Sequence, residues 1–329
     1  MGSKELEIPD ERKGLTLLSV VAPVFNEEDG VAELVSRLEA SCSKAAASFE
    51  LILVNDGSRD ATLPRLIGLS QSIPQLRVVD LFRNYGHMSA LSAGIALANG
   101  DAVVVMDGDL QDPPELIPQL VERWKGCADV VYGLRTKRRE GLAMRLGVRF
   151  FYWVLGVTRT SIPENVGTFG LMDRRVVDVL NAMPEHSRFF AGLRWWVGGQ
   201  QAFVEYERAA RRHGRSRVGV LGLLSLAQTA LTSFSKVPLR VASIVSLLCG
   251  MVLFLVGITA ILIRIFTPLG IPGWATYTTL IGMMGFVQSV VLAVIAEYVG
   301  IIFDEVKGRP LFVVRREYRS GSVLPAPER

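Results

Sequence analysis

The sequence predicts an α/β domain with a mostly parallel sheet, followed by interfacial helices and two transmembrane helices. Half of the 329 residues are hydrophobic while 21% are charged, a mixture typical of a soluble domain joined to membrane segments. Before residue 236, short β-rich runs alternate with helical patterns, which is typical of a parallel sheet covered by helices. Two long runs without charged side chains follow, and these predict the membrane part.

The elements of the soluble domain follow from this alternation. Mostly apolar runs predict strands, because strands covered on both faces lack a polar side: Leu17–Pro23, Glu50–Asn55, Leu76–Leu81, Ala102–Asp107 and Val130–Leu134. Helical spacing predicts helices between them: Glu27–Ser43, Thr62–Ser70, His87–Ala98 and Pro114–Trp124. Ligands of open α/β sheets bind at the carboxyl ends of the strands, so we expect the polar loops there to form one site.

Two apolar runs, Val241–Ile263 and about Tyr277–Ala296, predict the transmembrane helices. The first run would be roughly 35 Å long as a helix, enough for the hydrocarbon core of a bilayer. A buried helix of a large soluble domain is the alternative for each run. Basic residues flank the pair on its outer sides, namely Lys236, Arg240, Lys307, Arg309, Arg315 and Arg316. The positive-inside rule therefore predicts a multi-pass protein of the inner (cytoplasmic) membrane, with the soluble domain and both termini in the cytoplasm.

These elements divide the chain into five segments. They are an N-terminal tail (1–17), a cytoplasmic domain (18–217), an interfacial amphipathic helix (218–236), a two-helix transmembrane hairpin (237–303) and a cytoplasmic C-terminal tail (304–329). Within the cytoplasmic domain, the run Leu142–Leu155 interleaves arginines with aromatic residues. That pattern predicts a further helix on the bilayer surface.

Asp107-Gly108-Asp109 is the sharpest chemical motif, because it places two carboxylates at the end of a predicted strand. Such a pair can hold Mg²⁺ or Mn²⁺, which would take further ligands from a diphosphate. A solvated turn is the alternative for an isolated Asp-x-Asp. The sequence has neither a phosphate-loop motif nor a dinucleotide fingerprint, which argues against a phosphate-loop nucleotide hydrolase and against a dinucleotide-binding protein. Its net charge of +4 suits anionic partners without requiring nucleic acid, and we expect none.

Several motifs, in this order, resemble those of family 2 glycosyltransferases of the polyprenyl-phosphate type. They are Val21–Glu28, Val54–Ser58, Arg83–Gly86, Asp107–Glu115, Arg188–Leu193 and the segment from Glu297 to Pro310. The pattern is most similar to bacterial polyisoprenyl-phosphate glucosyltransferases and undecaprenyl-phosphate aminoarabinose transferases, and more distantly to dolichol-phosphate mannose synthases. The resemblance runs from about Leu18 to Val314 and therefore covers nearly the whole chain.

The resemblance implies a GT-A-like nucleotide-sugar-binding domain that transfers a sugar from a nucleotide-diphosphate sugar, with UDP-hexose favoured, to polyprenyl phosphate. It implies inversion at the sugar, action at the cytoplasmic face and a homo-oligomer, with a tetramer suggested. The implied donor-binding residues are Pro23, Asn26, Glu28, Asp56, Arg83 and Asp107. The implied ligands of Mg²⁺ or Mn²⁺ are Asp107, Asp109 and Gln111, and the catalytic set is Asp107, Asp109 and Thr168.

Some of these residues have a plainer alternative. The segment Asn55–Ser58 also suits a simple turn that caps the next helix. For Arg83 and His87, a solvated or helix-capping role is an equal alternative to donor contact. Candidate cations for the acceptor phosphate come from clusters of basic residues, with one hydroxyl beside them: Arg135, Arg145, Arg149, Arg212, Arg215 and Ser216. Attraction to anionic lipid headgroups is the alternative for each arginine.

Thr168 is a departure from the resembled pattern. Relatives carry Gly-Asp-Phe-Arg or Gly-Asp-Tyr-Gly where this chain has Gly167–Gly170, and their aspartate is the suspected base. Threonine cannot act as an acid or base near neutral pH. A phosphate monoester is largely dianionic at pH 7, so the acceptor itself can serve as the nucleophile. Glu164 or Asp173 would replace the missing carboxylate only if geometry permits.

Two other functions stay open. A membrane-anchored nucleotide-sugar binder with impaired catalysis is one, because of Thr168 and Gly170. A processive polysaccharide synthase is the other, because Arg194-Trp195 is similar to the end of its Gln-x-x-Arg-Trp element. Ala191 stands at the glutamine position, however, and two spans are few for a polymer channel.

Overall fold

The structure, a computed structural model, describes residues 14–136, 166–185, 188, 190–207, 237–266, 273–320 and 322–324. The predicted interfacial segments Leu142–Leu155 and 218–236 lie outside these residues. Of the described residues, those before 208 and after 309 form one compact unit, and those from 237 to 309 form a second.

The first unit is built on one mixed sheet, to which the described residues contribute nine strands in the order β7-β5-β6-β4-β1-β2-β3-β8-β9. The strands are β1 Leu18–Val24, β2 Phe49–Asn55, β3 Leu76–Leu81, β4 Ala102–Val105, β5 Val130–Arg135, β6 Val166–Asp173, β7 Gln201–Tyr206, β8 Val314–Arg319 and β9 Ser322–Leu324. The helices of this unit are α1 Val31–Ala45, α2 Thr62–Ser72, α3 His87–Leu97, α4 Ile117–Lys125, α5 Arg174–Ala182 and α6 Phe190–Val197, with a 3₁₀ turn at Pro114–Leu116.

The predicted α/β class with a parallel centre is confirmed. Strands β3, β2, β1 and β4 are neighbours and run parallel, and their bounds agree with the predicted ones to within two residues. Side chains from both faces of these strands are buried, which explains why their sequences show no polar alternation.

Strands β6 to β9 were not predicted. Strand β6 carries two glycines, which weaken a strand signal, yet it lies between β4 and β5 and is antiparallel to both. Strand β8 has the sequence VRREYR, whose charges mask its strand character. It pairs antiparallel with β3, so part of the segment expected as a C-terminal tail belongs to the sheet.

The core lies on both faces of the sheet. Helix α1 buries Val31, Leu34, Val35 and Leu38, a helical stripe that covers one face. Helix α3 covers the other face and approaches β1 closely, because a Cβ at Gly94 would lie 2.3 Å from Cγ1 of Val21. This packing fixes the strand ends at which the cleft described below opens.

The second unit contains two long helices, α7 Val237–Phe266 and α8 Trp274–Val306, which contact each other. Among the described residues, Leu280–Val306 is long and apolar enough to cross a membrane, and Ala242–Val252 is a shorter apolar stretch. Large apolar side chains on both helices are exposed, for example Leu247, Ile265 and Phe286. One candidate membrane span, Leu280–Val306, is therefore seen. The other predicted span, Val241–Ile263, stays a prediction.

Candidate active site

A cleft of about 330 Å³ opens at the carboxyl ends of β1, β2 and β4. Its lining is Pro23, Val24, Phe25, Glu27, Asp56, Asn84, Gly86, His87, Asp107, Gly108 and Asp109. The predicted convergence of the strand-end loops is therefore observed. Of the predicted site residues, Pro23, Asp56, Asp107 and Asp109 line the cleft, and it also contains Phe25, Glu27, Asn84 and His87.

The two carboxylates lie in a tight turn after β4. Gly108 permits this turn to sit against β1, because a Cβ at that position would lie 2.6 Å from the carbonyl oxygen of Pro23. Leu110 has a positive φ of 58°, and the main-chain N–H of Gln111 donates to Oδ1 of Asp109 at 3.1 Å. The turn thus fixes the orientation of Asp109 before any ligand binds.

Asp107 and Asp109 fit a divalent ion that takes its remaining ligands from a substrate. Both carboxylates line the same cleft, and hard cations such as Mg²⁺ prefer oxygen ligands. Within the described part of the chain, no group of three or more His, Cys, Asp or Glu side chains could hold an ion by itself. The role of Gln111 as a third ligand stays a prediction.

His87, in the first turn of α3, lies beside these carboxylates. Its Nε2 is 3.3 Å from Oδ1 of Asp107. Burial disfavours the imidazolium, but the nearby carboxylates of Asp107, Asp109 and Asp56 outweigh burial and hold the pKa of His87 above its usual value. His87 therefore lies in the cleft next to the carboxylate pair. The sequence signal for His87 was its position at the end of the polar, glycine-bearing run that follows the predicted strand Leu76–Leu81.

Asp56 organises the cleft from the β2 side. Its carboxylate accepts hydrogen bonds from the main-chain N–H groups of Tyr85 at 2.7 Å and Gly86 at 3.0 Å. Burial raises the pKa of Asp56, although those two bonds act in the opposite direction. Gly57 has a φ of +66°, and a Cβ there would lie 2.6 Å from the main chain of Arg83 and Asn84. The loops after β2 and β3 are therefore tightly joined.

Asn26 and Glu28 join the loops after β1 and β2 and are absent from the cleft lining, and their predicted contact with a nucleoside stays a prediction. Oδ1 of Asn26 accepts from the N–H of Arg59 at 2.8 Å, and Oε2 of Glu28 accepts from the N–H of Ala61 at 2.9 Å. These bonds give both residues a structural role. Arg83 is exposed, and its guanidinium lies 4.8 Å from the centre of the Tyr85 ring.

Arg135 is the predicted acceptor-phosphate residue that the structure describes. Its Nε donates to the hydroxyl of Tyr206 at 3.2 Å, and its Nη2 lies 3.9 Å from Oδ1 of Asp112. Burial opposes its charge, but Tyr206 and Asp112, with Asp107 contributing, hold the pKa of Arg135 above its usual value. A Cβ at Gly167 would lie 2.5 Å from Nη2 of Arg135, so glycine leaves room for this guanidinium.

Thr168 follows Gly167 on β6. Strand β6 is antiparallel to β4, with Gly170 opposite Val105, so Thr168 lies toward the carboxyl end of β4, where the cleft opens. It does not line the cleft itself. Asp173 pairs with Ala102 at the other end of β4 and caps α5, so the suggestion that it replaces a catalytic base is wrong.

Other predicted residues lie outside the described part of the chain. They are Arg145, Arg149, Glu164, Arg212, Arg215 and Ser216. Their roles stay predictions.

Paired carboxylates and a histidine thus lie at the carboxyl edge of the sheet, where ligands of open α/β sheets bind. Residues 19–180 match the family model "Glycosyl transferase family 2". An uncharacterized glycosyltransferase of Synechocystis sp. is 41% identical over 90% of this chain and 94% of its own length. The SfII prophage-derived bactoprenol glucosyl transferase of Shigella flexneri is 37% identical over 92% of this chain and 98% of its own length.

A solved structure shares the fold. The crystal structure of glucosyl-3-phosphoglycerate synthase from Mycobacterium tuberculosis, in complex with Mn²⁺, uridine diphosphate and phosphoglyceric acid, superposes with a TM-score of 0.51. It is 21% identical and covers 67% of this chain and 78% of its own. The protein is a glycosyltransferase with a GT-A-like fold. It belongs to glycosyl transferase family 2, and the family resemblance predicted from the motifs is confirmed.

Proposed function

We propose that this enzyme transfers a hexose from a nucleotide-diphosphate sugar, with UDP-glucose favoured, to polyprenyl phosphate at the cytoplasmic face of the membrane. The single observation that carries the proposal is the opening of Asp107 and Asp109 into one cleft with Asp56 and His87. Relatives named bactoprenol glucosyl transferase, 36–37% identical over 91–92% of this chain, support the lipid acceptor and glucose.

The donor would lie across the carboxyl ends of β1 and β4. Pro23 and Asp56 line the nucleoside side of the cleft in this proposal, and His87, beside Asp107, lies on the diphosphate side. Asp56 already bonds the loop after β3, so its contribution to donor binding is to hold that loop in place. The neighbour crystallised with uridine diphosphate supports the choice of a uridine nucleotide.

Asp107 and Asp109 would hold Mg²⁺ or Mn²⁺, with Gln111 as the proposed further ligand. When bound, the ion supplies positive charge that stabilises the leaving diphosphate. The neighbour crystallised with Mn²⁺ supports metal use, and the chain's own carboxylate pair fits such an ion.

The acceptor phosphate would bind on the β5–β6 side. Arg135 is oriented there by Tyr206 and Asp112, and arginine binds phosphate through paired hydrogen bonds. Arg145, Arg149, Arg212, Arg215 and Ser216 are proposed to complete this acceptor site. The apolar helix Leu280–Val306 supports a membrane location for the lipid, with a multi-pass topology and cytoplasmic termini proposed.

The transfer step needs no protein base. An oxygen of the dianionic acceptor phosphate forms a bond to C1 of the sugar, while the bond from C1 to the donor diphosphate breaks and the nucleoside diphosphate leaves with the electron pair. Attack opposite the leaving group inverts the configuration at C1. The proposed role of Thr168 is to border this path. We also propose that the enzyme forms a homo-oligomer, with a tetramer suggested by the family resemblance.

The experiment that tests this function uses membranes containing the protein, radiolabelled UDP-glucose and undecaprenyl phosphate, followed by lipid extraction. We expect one labelled lipid, and none with the matched Asp109→Asn variant. A growing polymer would support a processive synthase instead. Nucleotide binding without transfer would support a catalytically impaired binder.

A further inference from the structure

A loop between β3 and α3 forms one wall of the cleft. We call residues Phe82–Gly86 the donor loop, because Asn84 and Gly86 line the cleft directly. The far end of this loop is fixed by Asp56, whose carboxylate accepts from the N–H groups of Tyr85 and Gly86. The other end of the loop, at Phe82, must also be held if this wall of the cleft is to be rigid.

The near end is held by the segment that follows α8. The main-chain N–H of Phe82 donates to the carbonyl oxygen of Val313 at 3.1 Å, and its carbonyl oxygen accepts from Nη2 of Arg315 at 2.7 Å. Both main-chain polar groups of Phe82 are thus bonded to residues more than 230 positions later, since Phe82 and Arg315 are 233 positions apart. The guanidinium of Arg315 also lies 5.4 Å from the centre of the Phe82 ring.

Arg315 also contacts Asp80 on strand β3. Its Nη1 lies 3.6 Å from Oδ2 of Asp80, which is buried at the end of β3. Oδ1 of the same carboxylate accepts from Nδ2 of Asn55 at 2.8 Å, and Asn55 directly precedes Asp56. Arg315 therefore contacts the near end of the donor loop directly at Phe82, and through Asp80 it is linked to Asn55, the residue before the far-end anchor Asp56.

Strand β8 places Arg315 for this contact. Buried Glu317 accepts from Nε of Arg77 at 2.8 Å, and Nη1 of Arg77 donates to buried Glu50 at 2.6 Å. Removal of one partner from such a buried group leaves an uncompensated charge, so the register of β8 on β3 is strongly specified.

We propose that Arg315 is a positioning residue of the donor site, and that the C-terminal strand β8 completes this site by fixing the donor loop. The inference rests on the proposed function in one respect, namely that the cleft binds a nucleotide-diphosphate sugar. From the sequence alone, Arg315 is predicted only to be one of the basic residues that flank the transmembrane helices. An exposed ion pair alone stabilises little, and the hydrogen bond to the Phe82 carbonyl is therefore the contact that matters most.

The test compares Arg315→Ala with Arg316→Ala in the full chain purified in detergent. Arg316 is the matched control, because it is the next residue of β8, carries the same charge and is exposed, and its side chain makes no hydrogen bond or ion pair among the described residues. Hydrogen exchange followed by mass spectrometry reports on the donor loop without any ligand. Calorimetric titration with UDP and Mn²⁺, and the KM values for UDP-glucose and undecaprenyl phosphate, report on the site.

We expect Arg315→Ala to accelerate exchange over Phe82–Gly86 and to raise the UDP-glucose KM about three- to tenfold, the loss of about one hydrogen bond. The KM for the lipid and kcat should change less, and Arg315→Lys should recover part of the loss. Arg316→Ala should match the wild type in every readout.

Equal exchange in the two alanine variants would overturn the inference, as would faster exchange with unchanged UDP affinity. The proposed function fails in a different way. If the wild type binds UDP but transfers no glucose to lipid, the function is wrong, while exchange and UDP titration still decide the role of Arg315.

Discussion

The hydroxyl of Tyr206 donates a hydrogen bond of 2.6 Å to Oδ1 of Asp112, a carboxylate with no exposed surface. The same hydroxyl accepts from Nε of Arg135, so strand β7 and the turn before α4 together fix a cation on β5. Burial raises the pKa of Tyr206, and the Asp112 charge adds to the rise. The hydroxyl therefore stays protonated at neutral pH and keeps both contacts.

Tyr206→Phe removes this link and should mainly weaken the acceptor side. We expect the KM for undecaprenyl phosphate to rise about tenfold, because Arg135 loses a contact that orients it. The KM for UDP-glucose should stay close to that of the wild type. Tyr318→Phe is the matched control, since Tyr318 lies in the same sheet and its hydroxyl makes no hydrogen bond among the described residues. Equal acceptor KM values for both variants would contradict the role given to Tyr206.

Metal removal should weaken donor binding through Asp107 and Asp109. In calorimetric titrations, UDP should bind more tightly with Mn²⁺ or Mg²⁺ than with a chelator. Asp109→Asn keeps the size of the side chain but removes its charge, and it should abolish that difference. Asp129→Asn, which changes a carboxylate outside the cleft lining, serves as a charge-matched control. Metal-independent binding by the wild type would count against the proposed metal site.

Thr168→Ala should retain most of the transfer rate, because no protein base is lost. The acceptor dianion requires loss of its second proton, so the rate should fall as the pH drops through roughly 6. Initial rates over a pH series, with the donor saturating, measure this. A Thr168→Ala enzyme as inactive as Asp109→Asn would show instead that the threonine hydroxyl is essential.

Replacement by methionine should change the free energy of unfolding much more at one buried arginine, Arg77, than at another, Arg194. Arg77 is paired with Glu50 and Glu317, so Arg77→Met leaves two buried carboxylates and should lower the free energy of unfolding by about 3–5 kcal/mol. Arg194 is fully buried, and among the described residues its Nε and Nη1 have no hydrogen-bond partner. Burial lowers the pKa of Arg194 to about 10.

Arg194→Met should therefore leave the free energy of unfolding within about 1 kcal/mol of the wild type or raise it, despite the loss of the bond to the Gly167 carbonyl. Chemical denaturation of both variants in the same detergent measures the difference. A loss for Arg194→Met as large as that for Arg77→Met would contradict this interpretation.

The sequence predicts the parallel centre of the sheet because each of its strands is apolar on both faces. The Asp107 turn was predictable for the same reason, since it follows the apolar strand β4. Strand β8 was not predictable, because its pairing depends on Arg77 and Glu317, which are 240 positions apart. The structural use of Asn26 and Glu28 was also hidden, because their partners are main-chain N–H groups of another loop.

In the proposed reaction, the phosphate of a polyprenyl lipid attacks C1 of a nucleotide-activated hexose. The most direct measurement incubates the purified protein with UDP-glucose and either undecaprenyl phosphate or phosphate-free undecaprenol, and then determines the product linkage by mass spectrometry and NMR. We predict one β-linked glucosyl phospholipid and one UDP per turnover from the phosphate, and no product from the alcohol. Transfer to undecaprenol, or an α-linked product, would contradict the proposed reaction.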